Sequence, residues 1–157
     1  MRIRQKLKVK QHLHAACTTH SRTDIRVRDV DFTIDEPFER DGTNQGPAPT
    51  ETAVAALIGC TNTIGHKCAD ALGVDLGHLE IAAICDLDRR GVTLQKEIEV
   101  PFERIEMDVT YDGPATPADA ERVALEVEKY CAVSKLFRNA GTEVVHNWLP
   151  KDGQPGQ

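Results

Sequence analysis

The residues with the most reactive chemistry are five cysteines, at positions 17, 60, 68, 85 and 131. An odd, widely spaced set is not a disulfide framework, and no C-x-x-C pair suggests a zinc knuckle or a thioredoxin motif. They are therefore packing thiols, redox thiols, or both. Cys60 lies in a run that reads as a helix apolar on every side, and Cys131 closes a second stripe with helical spacing. If those helices pack together, the two sulfurs come within reach, and one thiolate could react while the other resolves it. Spacing alone fits core thiols more economically, because buried Cys is common and reactivity needs a lowered pKa.

A second cluster holds His12, His14, Cys17 and His20. These are metal-ligand types, but their spacing matches no standard zinc pattern and no second ligand pair follows. Neither metal nor cofactor is expected. Cys85 reads as a core residue of a strand, Cys68 as helix packing, and Cys17 as lying near a turn.

The elements that must position these residues follow from patterning. Residues 2–16 alternate basic and apolar side chains, which predicts a strand with one wet face. With Asp24 to Arg28 and the stretch around Phe32 and Ile34, this makes an N-terminal β-meander. A Pro- and Gly-rich loop spans residues 36–49. Pro49 suits a first helical position and Glu51 the third, facing the positive end of the dipole, while Ala48 is a weak cap. A central helix is expected over residues 52–72, strands over 79–87 and 98–111, a helix from Thr116 through Cys131, further helical turns over 133–139, and a last strand over 142–148. One domain is expected over residues 1–150, with a flexible polar tail at 151–157.

Composition sets the limits. The 157 residues carry 19 basic and 25 acidic side chains, a net charge of −6. That balance argues against sequence-independent nucleic-acid binding. No apolar run approaches a membrane span, and the first residues lack the apolar core of a signal peptide, so a cytoplasmic protein is expected.

Two segments carry a resemblance. One is Pro49-Thr50-Glu51 followed by Ala55-Ala56-Leu57-Ile58-Gly59-Cys60-Thr61. The other is Glu128-Lys129-Tyr130-Cys131-Ala132-Val133-Ser134. Together they resemble the OsmC/Ohr family, over roughly residues 24–148. The resemblance implies an α+β fold whose antiparallel sheets wrap two central helices in an intertwined homodimer. It implies a thiol peroxidase for organic hydroperoxides or hydrogen peroxide, with Cys60 as nucleophile, Cys131 as resolving thiol, and a dithiol such as a lipoyl group as reductant. It also implies an arginine that holds the thiolate's charge, for which Arg22 comes first and Arg40 second. Lys67, two turns after Cys60, is a further cation, with solvent its simpler destination. In the family a Glu ten positions before the cysteine pairs with that arginine; here Thr50 fills that position and Glu51 is nine before. Nine positions turn Glu51 to the opposite side of an ideal helix from Cys60, so a capping role competes with a catalytic one. The family's Pro after the second cysteine is Ala132 here. These departures sustain a rival expectation, a non-catalytic dimer of the same fold that binds a small apolar ligand at its interface.

Overall fold

A computed structural model describes residues 6–151. The expected tail beyond Lys151 and the first part of the basic stripe lie outside the described residues. The described residues gather into two compact units, the first ending at Ala53 and the second starting at Val54.

The first unit holds the meander. Strands β1 (Leu13–Cys17), β2 (Thr23–Val27) and β3 (Val30–Ile34) pair antiparallel in chain order. The long first strand expected over residues 2–16 is corrected: residues 6–12 are exposed and form no strand. β2 ends at Val27, which pairs with Leu13, and the chain then turns through Arg28 at φ 55°. Residues before Leu13 find no partner strand there, and an unpaired strand leaves its backbone groups unsatisfied.

Asp35 then organises the loop. Its side chain is fully buried and accepts from the backbone N–H of Glu36, Thr43 and Gln45 and from the Thr43 hydroxyl. The Thr43 hydroxyl and the backbone donors hold its carboxyl well below the usual carboxylate range. Gly42 is required by close approach, since a Cβ there would sit 1.8 Å from the Glu36 carbonyl oxygen. A short 3-10 turn, Phe38–Arg40, completes the loop.

Helix α1 (Pro49–Leu72) starts with proline in its first position, as expected. The second unit continues with β4 (Leu79–Leu87), β5 (Phe102–Tyr111), α2 (Pro117–Tyr130), α3 (Ala132–Asn139) and β6 (Glu143–Pro150). Thr116 caps α2, its hydroxyl accepting from the Asp119 N–H at 3.2 Å. Pro101, which lacks a donor, precedes β5 and shortens it from the expected 98–111.

The second sheet has the order β4-β5-β6. β4 and β5 pair antiparallel, but β5 and β6 pair parallel, so this sheet is mixed rather than wholly antiparallel. The reason is the crossover: α2 and α3 carry the chain back before β6 begins, which parallel pairing requires. One face of β5 presents Ile105, Met107, Val109 and Tyr111, each 1% exposed or less. Ala120, Val123 and Val127 of α2 are equally buried. The Thr61 hydroxyl of α1 donates to the Leu57 carbonyl and approaches Met107 Sδ at 3.8 Å. Gly65 of α1 meets the Trp148 ring of β6, where an added Cβ would lie 3.0 Å from Cη2. Phe102 and Phe137 pack edge to face with centroids 5.3 Å apart. Among the described residues, no helix is long and apolar enough to cross a membrane.

The central helix is not buried all round. Leu57 is fully buried, but Ala55, Ala56 and Gly59 are exposed and Cys60 is half-buried. A helix apolar on every side needs more covering surface than this chain supplies.

Candidate functional site: a pair of cysteine thiols

Helix α1 presents Cys60, and the junction of α2 and α3 presents Cys131. The two sulfurs lie 2.9 Å apart, and both cysteines are free thiols. The two thiols are thus in contact with no bond between them. The Cys131 thiol donates to Cys60 Sγ.

The junction itself explains the placement. Cys131 ends α2 and caps α3, with φ −71° and ψ 107°, extended backbone between two helical runs. Its N–H still closes the last turn of α2 on the Val127 carbonyl. Its sulfur accepts from the Ser134 N–H at 3.4 Å, so a thiol takes the capping role that a serine or aspartate oxygen usually fills. Ala132 does not prevent the break; α3 starts there without a proline.

Cys131 is wholly buried, and burial, reinforced by its hydrogen bond to Cys60, pushes its thiol up to about 11; the α3 backbone N–H groups act in the opposite direction. At neutral pH Cys131 is therefore a thiol, and it meets its half-exposed partner as a proton donor. Burial likewise raises the Cys68 and Cys85 thiols. Cys68 is buried as expected; Cys85 is half-buried on β4 rather than deep in the core. Below Cys60 on α1, a cleft of about 350 Å³ opens between α1 and α2. Its lining is mostly apolar, with Ile64, Cys68, Leu72 and Tyr130, and the exposed Lys67 and half-buried Glu126 also line it.

The other expected site residues lie in the first unit. Arg40 Nε lies 2.8 Å from Glu36 Oε2, and Arg40 Nη2 lies 3.9 Å from Glu51 Oε1. Glu51 Oε2 accepts from the Ala48 N–H at 2.8 Å, the reach of a third-position glutamate back to the cap. Arg40 and Glu51 are thus brought together, and Glu51 satisfies the Ala48 N–H, while Ala48 itself offers no side-chain oxygen to the first helical N–H groups. Arg22 is committed elsewhere: its Nε donates to Asp24 at 3.1 Å. Cys17 is exposed on β1, while His12 falls outside that strand. Among the described residues, no three His, Cys, Asp or Glu side chains gather as metal ligands.

Several residues around Cys131 escape a reading by motif. The Ser134 hydroxyl accepts from Arg138 Nε at 3.1 Å. Arg138 Nη2 donates to the Val144 carbonyl at 2.9 Å and to Glu128 Oε1 at 3.3 Å. His146 Nε2 lies 3.4 Å from the same Glu128 oxygen, and its other ring nitrogen accepts from the Trp148 indole N–H. Helical spacing from Ser134 to Arg138 was the one signal available.

The comparisons agree with this architecture. The profile of OsmC-like proteins matches residues 42–147, from within the loop to the last strand. The chain belongs to the OsmC-like family. None of the curated proteins matches it. Among solved structures, an OsmC-like protein from Mycoplasma pneumoniae superposes with a TM-score of 0.76 at 15% identity, covering 92% of this chain and 100% of that one. An organic hydroperoxide resistance protein OsmC from Legionella pneumophila gives 0.65 at 15% identity, covering 93% of this chain and 99% of that one. The organic hydroperoxide resistance protein OhrB of Bacillus subtilis gives 0.60 at 17% identity, covering 91% and 98%. At such identities the likeness speaks for the OsmC-like fold alone.

Proposed function

We propose that this OsmC-like protein is a two-cysteine peroxidase. The observation that carries the reading is the reduced pair, with Cys60 half-exposed and Cys131 buried in contact with it. The neighbours named for organic hydroperoxide resistance support it. In the first step the Cys60 sulfur attacks the O–O bond of a hydroperoxide. That bond breaks, an alcohol leaves, and Cys60 becomes a sulfenic acid. In the second step the Cys131 sulfur attacks the sulfenic sulfur. An S–S bond forms, the S–O bond breaks, and the thiol proton leaves with the hydroxide as water. A dithiol such as a lipoyl group then takes the oxidising equivalents by exchange and restores both thiols.

The substrate is a small organic hydroperoxide, the class for which two neighbours of this fold are named. Of the two arginines that the resemblance offers as the thiolate's cation, Arg40 is preferred to Arg22, because Arg40 is joined to Glu51 whereas Arg22 is held by Asp24. The working form is a homodimer in which a second copy covers the exposed apolar side of α1. A reducing cytoplasm suits free thiols at this contact.

The test is one equivalent of cumene hydroperoxide on the reduced protein, read by intact mass and non-reducing peptide mapping. Loss of two hydrogens and a Cys60–Cys131 peptide, both absent in Cys60→Ser, is the expected result. Thiols that stay reduced would sink the peroxidase. The rival, a ligand-binding dimer, draws on Glu51, whose side chain is already engaged by the Ala48 N–H. A tight apolar ligand retained through purification of a peroxide-inert protein would favour it.

A further inference from the structure

Cys131 sits at the junction of α2 and α3. Two helices meet at one residue, with no proline to fix the break, and the resolving sulfur sits on it. One side chain spans the three elements that converge there. Arg138, on α3, donates from Nε to the Ser134 hydroxyl at 3.1 Å. Its Nη2 reaches Glu128 on α2 at 3.3 Å and the Val144 carbonyl on β6 at 2.9 Å. Ser134 is buried, and its N–H is the donor that holds Cys131 Sγ. A planar guanidinium with several fixed donors can serve such a triple contact, whereas a lysine ammonium on a flexible stem cannot reproduce it.

We infer that Arg138 is a positioning residue for the resolving step, bracing α2, α3 and β6 so that the Cys131 sulfur stays against Cys60. The inference rests on the two-cysteine reading above. Arg138 touches neither sulfur, so its action runs through Ser134 and the helix junction. The first step belongs to Cys60 and the peroxide and does not require Arg138. The second requires two sulfurs aligned, and a displacement of about 1 Å at a reacting centre costs on the order of a hundred-fold in rate.

The test separates the two steps in full-length protein carrying Arg138→Met. Cys60 sulfenate formation is timed by rapid mixing with cumene hydroperoxide, and the disulfide by quenched peptide mapping. The expected result is sulfenate formation within about two-fold of wild type and disulfide formation slowed by roughly ten- to a hundred-fold. The sulfenate then accumulates and is captured by dimedone. Arg138→Lys, a milder change that keeps the charge, gives a smaller slowing of the same step. Thr116→Ala, which loosens the far end of α2, serves as the control for general destabilisation and leaves the ratio of the two rates unchanged. Equal slowing of both steps by the Arg138 variants, or an unchanged disulfide rate, would overturn the inference.

A second arm needs no peroxide. Cys60 is loaded as a mixed disulfide with thionitrobenzoate, and attack by Cys131 forms the Cys60–Cys131 bond and expels the coloured thiolate. Slower release in Arg138→Met supports the positioning role; release at the wild-type rate overturns it. If the wild type forms no sulfenate but this exchange is still slowed by the variant, the peroxidase reading falls and the positioning role stands.

Discussion

The two sulfurs are chemically unequal because their surroundings are. Cys60 is half-exposed on a helix, while Cys131 is sealed at a helix junction. Burial holds the Cys131 thiol neutral, with its folded value raised from 9.0 to about 11. A raised value favours the protonated thiol in the folded state. Its contribution is complete below the unfolded value of 9.0 and is lost as pH rises toward about 11. Urea unfolding of the reduced protein should therefore weaken across that window, and Cys131→Ser should remove that part of the decline. An equal decline in the variant would assign it to other groups, such as Tyr111, whose hydroxyl burial also raises. The identity of the two cysteines was legible from flanking residues. The cap geometry was not, since thiols rarely stand in for a capping oxygen. Glu51 shows the opposite case: its position near the helix start announced a local role, and its carboxylate does reach the Ala48 N–H.

Among elements, α1 depends on small residues where it crosses the sheet. Gly65 lies under the Trp148 ring, with no room for a branched side chain. Gly65→Val should lower stability by about 1–3 kcal/mol, the usual cost of overpacking a filled core. Chemical denaturation checks this, and an unchanged midpoint would mean that the indole yields freely. The strands expected over 79–87 and 98–111 stand as β4 and, shortened, β5, and the helix expected from Thr116 stands as α2. The length of β1 and the direction of β6 were not legible for one reason. Both are set by a partner strand, and a single strand's pattern does not say who pairs with it or which way it runs.

At the scale of the whole molecule, the exposed apolar side of α1 is the feature that one chain leaves unanswered. Ala55, Ala56 and Gly59 face outward on a helix whose sequence reads as buried. The proposed second copy answers it, and sedimentation should give twice 17.3 kDa. Ala56→Arg places a charge on that face and should shift the protein to the mass of one chain; a wild-type protein that sediments as one chain would end the proposal. The parallel pairing of β5 with β6 carries a different consequence, one of timing. Those strands can join only once the chain of the intervening crossover has been made, and such non-local pairings form slowly. Arg138 grips the Val144 carbonyl of that last strand. The thiol pair likewise joins distant segments, because Cys60 leaves the ribosome 71 residues before Cys131. A nascent chain holds two ordinary cysteines, and only the finished one holds a matched pair.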